Sequence, residues 1–458
     1  MAIKIQGNVV LNYDGSTYSS TNMAVGYQAL YSNTTGVNNI GVGYQALYYN
    51  TTGYSNTGVG FQALRSNITG NNNVGVGTSA LYSNTTGYSN VGVGVNALYT
   101  NTAGYQNVGV GHQALNYNTA NNNTGVGFQA LYSNTIGNSN TGVGFQALRS
   151  NITGNNNVGV GFGTLYSNTT GIDNIGVGYY ALYNNTIGTS NISVGSATLY
   201  SNTTGAYNVG VGFHVLYNNT IGYSNVGVGY QTLFSNTTAY GNVGVGVNAL
   251  YTNTTGYQNV GVGYYALYSN TIGYSNVGVG ASALRSNTTG YQNVGVGFQA
   301  LYDQTTGINN VALGYNTGRG ITTGSNNTII GSNVTGLTST LNNTVIIADG
   351  SGNQRIYIDN NGNVGIGNTT PNATLLVQGN ANVSGNLLPG ADNTYNLGST
   401  TFRWANMYTG DLNLSNEGSQ GNDIDSTTGS WTIQEGETQL YIINKKTGKR
   451  YRFMIEEI

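Results

Sequence analysis

NMAVGYQALYSNTTG, residues 22–36, is the first complete copy of a unit that recurs about every 17 residues as far as Gly331. Aligned on Gly26, the copies fall at Gly43, Gly60, Gly77, Gly94 and Gly111. After a one-residue deletion they resume at Gly127 and continue to Gly314 and Gly331, nineteen in all. Taking this glycine as position 0, asparagine stands at −4 in every copy (Asn22, Asn39, Asn56), and Val, Leu or Ile stands at −1 (Val25, Leu313, Ile330). Leucine stands at +4 in seventeen copies, from Leu30 and Leu47 to Leu301. A second asparagine stands at +7 (Asn33, Asn50, Asn67), with Gln304 in its place in the last full copy.

A unit rich in Gly, Asn, Thr and Val, with no apolar residues at three- and four-residue steps, cannot be helical. Its short fixed period predicts an all-β fold of stacked repeats, in which each unit buries its apolar positions only against its neighbours. We expect a β-solenoid, or β-roll, of about nineteen 17-residue coils. At a strand spacing of about 4.8 Å it would be on the order of 90 Å long. Two internal apolar columns are expected, one of valine (Val25) and one of leucine (Leu30, Leu47). The asparagines at −4 and +7 would stack with their amides bonded along the axis, and Gly26 and Gly43 would mark bends. Val and Leu are five residues apart and opposite in parity, so a bend must separate them if both face inward. Aromatic residues at +1 and +5 (Tyr27, Tyr31, Tyr44, Tyr48, Phe61) add a repeating apolar surface, whose simplest use is contact between identical chains in a homotrimer.

Composition narrows the chemistry. The 458 residues include 72 glycines, two prolines, no cysteine and two histidines, with 6% charged residues and a net charge of −2. Absent cysteine removes disulfides, thiolate metal sites and thiol nucleophiles. His112 and His214 stand at variable positions of the unit, which leaves little material for a histidine triad or metal centre. We expect no catalytic residues, no cofactor, no metal and no nucleic-acid partner. Membrane insertion is not expected, because no apolar run approaches the length of a span. The start MAIKIQGNVVLNYDGS lacks the apolar core of a signal peptide, so synthesis in a cytoplasm is expected.

Along the chain, residues 1–21 precede the repeat and suit either a joint to a larger assembly or a cap on the first coil. The shaft occupies 22–350. It is nearly uncharged, and Arg65, Arg149 and Arg285 replace tyrosine at +5, where outward, solvated side chains are expected. After residue 307 the unit degenerates. A neck over 351–388 carries the turn Asp359-Asn360-Asn361-Gly362 between two apolar strands. The last block, 389–458, holds all five glutamates and both tryptophans. In it Leu440–Ile443 and Tyr451–Ile455 bracket a basic turn in which Gly448 supplies the left-handed residue, a hairpin in a small β domain.

At these residues the chain resembles bacteriophage tail fibres, especially those of marine phages. The unit at 22–30 is similar to the head repeats of trimeric autotransporter adhesins, trimeric left-handed β-rolls whose usual unit is shorter. Val364-Gly365-Ile366-Gly367 with Thr369-Thr370-Pro371 and Leu375–Gly379 resembles the neck of many phage fibres. Leu397-Gly398-Ser399 with Arg403, Trp404 and Tyr408 matches a motif found near their ends. An autotransporter would need a signal peptide and a membrane anchor, and neither is seen here; the tail after Tyr408 is too short for the self-cleaving chaperone domain that ends many such fibres. The resemblance implies a structural protein of the virion, made in the host cytoplasm. It would join a tail or baseplate protein through residues 1–21, trimerise, and bind a host surface polysaccharide or outer-membrane component. A bacterial surface adhesin or filament subunit is the alternative. An enzymatic tip, suggested only by Glu435 and Glu437, and an ice-binding solenoid come after it.

Candidate receptor-binding residues are Lys445, Lys446, Lys449, Arg450 and Arg452, which could contact phosphates or acidic sugars, with Trp404, Trp431 and Tyr441 as aromatic platforms. Each has a plainer reading: the basic hairpin keeps the tip soluble and guards its edge, and Trp404, Tyr408, Trp431 and Tyr441 form a core. Gly41-Val42-Gly43-Tyr44-Gln45-Ala46 matches a dinucleotide fingerprint but lacks its helix and acid. Asn33-Thr34-Thr35 matches a glycosylation acceptor, but the stacked asparagine column accounts for it. Calcium-binding coils require aspartate in every coil, and here Asp173 stands in a single one. Adjacent threonines such as Thr34 and Thr35 would face opposite ways in an extended strand, which disfavours an ice-binding plane.

Overall fold

The computed structural model of the chain describes residues 2–5, 8–12, 21–391, 396–415 and 428–453. It is all-β, without a helix among the described residues, and divides into two compact units, 1–379 and 380–458.

In the first unit every repeat contributes one short strand. The nineteen run from β3 (Met23–Val25) to β21 (Thr328–Ile330) and pair in parallel with the strand one repeat away. Ile40, Gly41 and Val42 lie opposite Thr57, Gly58 and Val59, and the same register continues along the column. The glycine at 0 ends the strand. Gly43 has a φ of +130°, and a Cβ there would lie 2.4 Å from the carbonyl oxygen of Gly60, so no side chain fits. The chain then turns through Gln45 and Leu47, both at φ 52°. Left-handed backbone in a leucine costs about 1 kcal/mol or more, yet it recurs at Leu30 and in the sixteen leucines that follow it at +4. The turn still bonds to its neighbours: Leu47 N–H donates to Ala63 O (3.0 Å) and Gln45 N–H to Tyr27 O (2.9 Å). The backbone ladder therefore extends well beyond the three strand residues.

The interior corrects the expected valine column. Leu47 through Leu301 are fully buried at +4, joined in most coils by alanine at +3. The strand residue that faces them is the one at −2, Gly41, Gly58 or Gly75, while the valines at −1 and the residues at −3 point out and are half-exposed. The reason is space. A Cβ on Gly75 would lie 3.1 Å from Leu64 Cγ, so the leucine of one coil occupies the volume that a side chain at −2 of the next would need. Close packing leaves room for one or the other. The end of the shaft shows the exchange directly: where leucine gives way to Gly318, the facing −2 residue becomes Ile329, and Ile346 fills the same place one repeat later, both fully buried.

The asparagine columns are as expected. Asn73 Nδ2 donates to Asn56 Oδ1 (3.0 Å) and to Gly87 O (2.8 Å), and Asn67 Nδ2 donates to Asn50 Oδ1 (2.8 Å) and Gly70 O (2.9 Å). Both columns are buried along most of the shaft, and a buried amide without partners would cost about 1–3 kcal/mol. A third ladder, unforeseen, links the half-buried glutamines at +2: Gln45 Nε2 to Gln28 Oε1 at 2.9 Å and Gln62 to Gln45 at 3.1 Å. The deletion falls between the two asparagine columns, at residues 119–122. There Asn118 Nδ2 reaches Asn101 Oδ1 only at 3.5 Å, and Asn123 Nδ2 turns to Asn118 Oδ1. The strands on either side keep their register, Val108 opposite Thr124.

At the N-terminal end β1 (Ala2–Ile5) and β2 (Asn8–Asn12) form an antiparallel hairpin whose Asn12 pairs with Ala24 of β3, covering the edge of the first coil. At the other end β22 (Val345–Ala348), β23 (Gln354–Ile358) and β24 (Val364–Ile366) form an antiparallel meander, and β25 (Leu375–Val377) pairs in parallel with β24. The expected turn after β23 is present. Asp359 Oδ1 accepts from the N–H groups of Asn361 and Asn363, both at 2.8 Å, and Gly362 has φ 84°. The turn before β23 repeats it around Asp349, whose carboxyl is held well below the usual range by hydrogen bonds from Asn353 and Arg355.

The second unit contains an antiparallel sheet of β26 (Asp411–Ser415), β27 (Ser430–Glu435), β28 (Leu440–Asn444) and β29 (Arg450–Arg452). β28 and β29 form the predicted hairpin, with Gly448 at φ 69°; Met454 and Ile455 of the expected second strand lie outside the described residues.

Candidate functional surfaces

The rings at +1 and +5 stack on one another within the chain. At +5, Tyr166, Tyr183, Tyr200, Tyr217, Phe234, Tyr251 and Tyr268 form a column with centroids 5.1–5.4 Å apart. At +1, His112, Phe128, Phe145, Phe162 and Tyr179 do the same at 4.8–5.5 Å. A third column at +11 went unrecognised in the sequence: Tyr223, Tyr240, Tyr257, Tyr274 and Tyr291, 4.6–5.1 Å apart. Its signal was present as tyrosine two residues before the Asn at −4 in successive copies. Within a column each interior ring has both faces covered by its neighbours, so these runs offer ring edges and hydroxyls to solvent. That geometry does not suit stacking on a sugar, which needs a free face.

The arginines at +5 are not the solvated side chains expected from sequence. Arg149 is half-buried between Tyr132 and Tyr166, its guanidinium 5.3 and 5.7 Å from the ring centroids, and its Nε donates to Gln129 Oε1 at 3.1 Å. Arg65 takes the same place between Tyr48 and Tyr82, and Arg285 between Tyr268 and Tyr302. A planar cation thus substitutes for a ring in the stack, where cation–π attraction offsets its partial desolvation. Arg319 lies over Tyr302 and pairs with Asp303 at 2.7 Å. His214 packs against Phe213, Tyr217 and Phe234, and this burial lowers its pKa.

Two minor sequence readings meet specific geometry. The asparagines of the glycosylation pattern, such as Asn50 and Asn67, are fully buried in their ladder. The first threonine of each pair bonds to backbone of the next coil, as Thr51 Oγ1 does to Ile68 O at 3.1 Å. Its hydroxyl is therefore a structural tie.

In the second unit Lys445, Lys446, Lys449 and Arg450 cluster at the exposed turn of the β28–β29 hairpin. Lys446 Nζ is tied to Thr428 O at 2.9 Å. Arg452 lies farther along β29, opposite Tyr441, and both reach Gln439 Oε1, at 3.3 and 3.4 Å. Trp431 is half-buried, 5.9 Å from the ring of Tyr451. Trp404 and Tyr408 are not core residues: they are 67% and 92% exposed, and Trp404 lies over Gly398. The candidates thus separate into a basic turn, a Tyr441–Arg452 pair, Trp431 and a distinct Trp404.

Among the described residues no group of three His, Asp or Glu side chains could hold a metal ion. No family model matches the chain, and neither does any curated protein or solved structure.

Proposed function

We propose that the chain is a homotrimeric bacteriophage tail fibre with a structural, non-catalytic role. In this reading residues 1–21 join a tail or baseplate protein, the coils supply length and stiffness, and the region after 389 meets the host cell surface. The observation that carries the reading is the ladder of nineteen in-register coils with buried amide columns bonded over most of its length. Such an array resists bending because every coil is fixed to the next by backbone pairing, joined at most junctions by amide and ring contacts. The exposed basic turn at Lys445–Arg450 suits acidic sugars or phosphates of an envelope, and several weak contacts on three chains and several fibres would add through avidity.

The test uses bacteria and phage from the sample that yields the gene. Purified full-length protein is added to the cells before phage challenge, and antibody against residues 22–350 is applied to the particles. Reduced adsorption together with fibre labelling is expected. Unlabelled particles and unchanged adsorption overturn the reading.

A further inference from the structure

The outward side of the parallel sheet is mostly apolar along its length, with scattered Thr and Ser and with His112 among the Val, Ile, Phe and Tyr side chains. Three residues of each coil face out there, at −3, −1 and +1, as the longer strands β14 (Val209–Phe213) and β15 (Val226–Tyr230) show by carrying the pairing as far as Phe213 opposite Tyr230. Column −3 is Val, Ile or Thr after an initial Met23, and column −1 is Val, with Leu313 and Ile330 at the end. Column +1 is mostly Phe and Tyr. None of the three columns contains Asp, Glu, Lys or Arg between residues 22 and 332, and the arginines of the shaft all lie elsewhere. These side chains stay accessible in the single chain, Val177 at 36% and Phe213 at 41%.

Parallel sheets are ordinarily covered on both faces. A strip about 10 Å wide over nineteen coils at about 4.8 Å amounts to roughly 900 Å². That exceeds the largest patch of a typical monomer and is near the share, about 800 Å², that each partner gives to a stable complex. With no carboxylate, lysine or arginine in the strip, a partner is selected chiefly by shape. The shape is a ridge pattern repeating at the coil pitch for nineteen steps, and a second copy of this shaft repeats at the same pitch over the same length. The one-residue deletion leaves the strip continuous, since Val108 still faces Thr124 and Val110 faces Val126.

We infer that this outward sheet face is the surface through which copies of the chain associate side by side, coil against coil. The inference rests on the homotrimer of the proposed function and assigns its interface. It places the +5 and +11 ring columns and the +9 residues outside the contact.

Because the chain has no cysteine, single cysteines can map it. Val177→Cys and Val194→Cys, on the face, are compared with Ile136→Cys and Ile187→Cys, at exposed +9 positions, in the full-length protein. Each is treated with a short bis-maleimide, beside solution mass from light scattering. Covalent multimers from the face variants only, in a protein of trimeric mass, are the expected result. A trimeric mass with linkage through the +9 positions, or through neither set, overturns the face assignment and leaves the trimer standing. A monomeric mass overturns both. Val177→Asp with Val194→Asp gives a second reading: these side chains are half-exposed in the single chain, so the coils should keep their β-sheet circular dichroism while the mass falls. Unchanged mass overturns the proposal.

Discussion

The glycine at −2 is defined by the leucine it faces. Gly159 is the case to test: a Cβ there would stand 3.3 Å from Leu148 Cγ. Leu148→Ala should cost about 2–5 kcal/mol through its cavity, and Gly159→Val about 1–3 kcal/mol by overpacking. The double variant should lose less than the sum, with a coupling of about 1–3 kcal/mol. Chemical denaturation of all four proteins measures it, and strict additivity would contradict the exchange seen at Gly318 and Ile329. His214 gives a pH signature. Burial holds its folded pKa below the usual value near 6.5, so the unfolded chain takes up the proton first. The stabilisation is then complete above the unfolded pKa and is lost as pH falls through the folded one. The melting temperature of the native protein relative to His214→Gln should drop between about pH 8 and about pH 5. These residue roles explain what the sequence could and could not disclose. Asparagine and leucine at fixed positions announce buried columns because nothing else accounts for them. Valine misleads because its hydrophobicity argues for burial, whereas inward space is decided by the larger leucine, and the residue that yields to it is glycine.

At the scale of the element, the coil is held by stacked columns, and a substitution matters as far as it interrupts one. Arg149 keeps the ring column continuous between Tyr132 and Tyr166. Arg149→Tyr should leave stability unchanged or slightly raised, and Arg149→Ala should lower it by about 0.5–2 kcal/mol. One weakened coil is that with the deletion, where the Asn118–Asn101 bond lengthens to 3.5 Å. In hydrogen exchange the amides of residues 115–123 should open before those of the flanking coils, since local stability follows local bonding. Uniform protection along the shaft would contradict this. The Tyr223–Tyr291 column and the glutamine ladder were harder to read because neither spans the whole array. A position that alternates between Tyr, Asn and Thr looks variable until stacking reveals runs within it.

At the scale of the whole molecule, the first unit depends on contacts between coils that are neighbours in sequence, so it should unfold as a linear array. Denaturation followed by circular dichroism and by tyrosine fluorescence should give transitions that do not coincide. The second unit differs in kind: among its described residues no large apolar side chain is fully buried, while Phe402, Trp404 and Tyr408 are largely exposed. Its hairpin was legible from Gly448 and the flanking apolar runs. The exposure of Trp404 was not, because an aromatic residue in a sequence carries no statement about what remains available to cover it.

The asparagine ladder runs in one sense only: where an amide bonds to its counterpart one repeat away, its Nδ2 donates to the Oδ1 of the coil before it. A finished coil therefore holds out acceptors already set for the next 17 residues, and the nascent chain can wind on in the order it is made. Since successive coils present equivalent surfaces to one another, duplicating or losing one repeat in the gene would change the distance between the two ends by a single strand spacing while creating no new kind of contact. The coil array is thus graduated in its own repeat, and its length can change by one coil at a time.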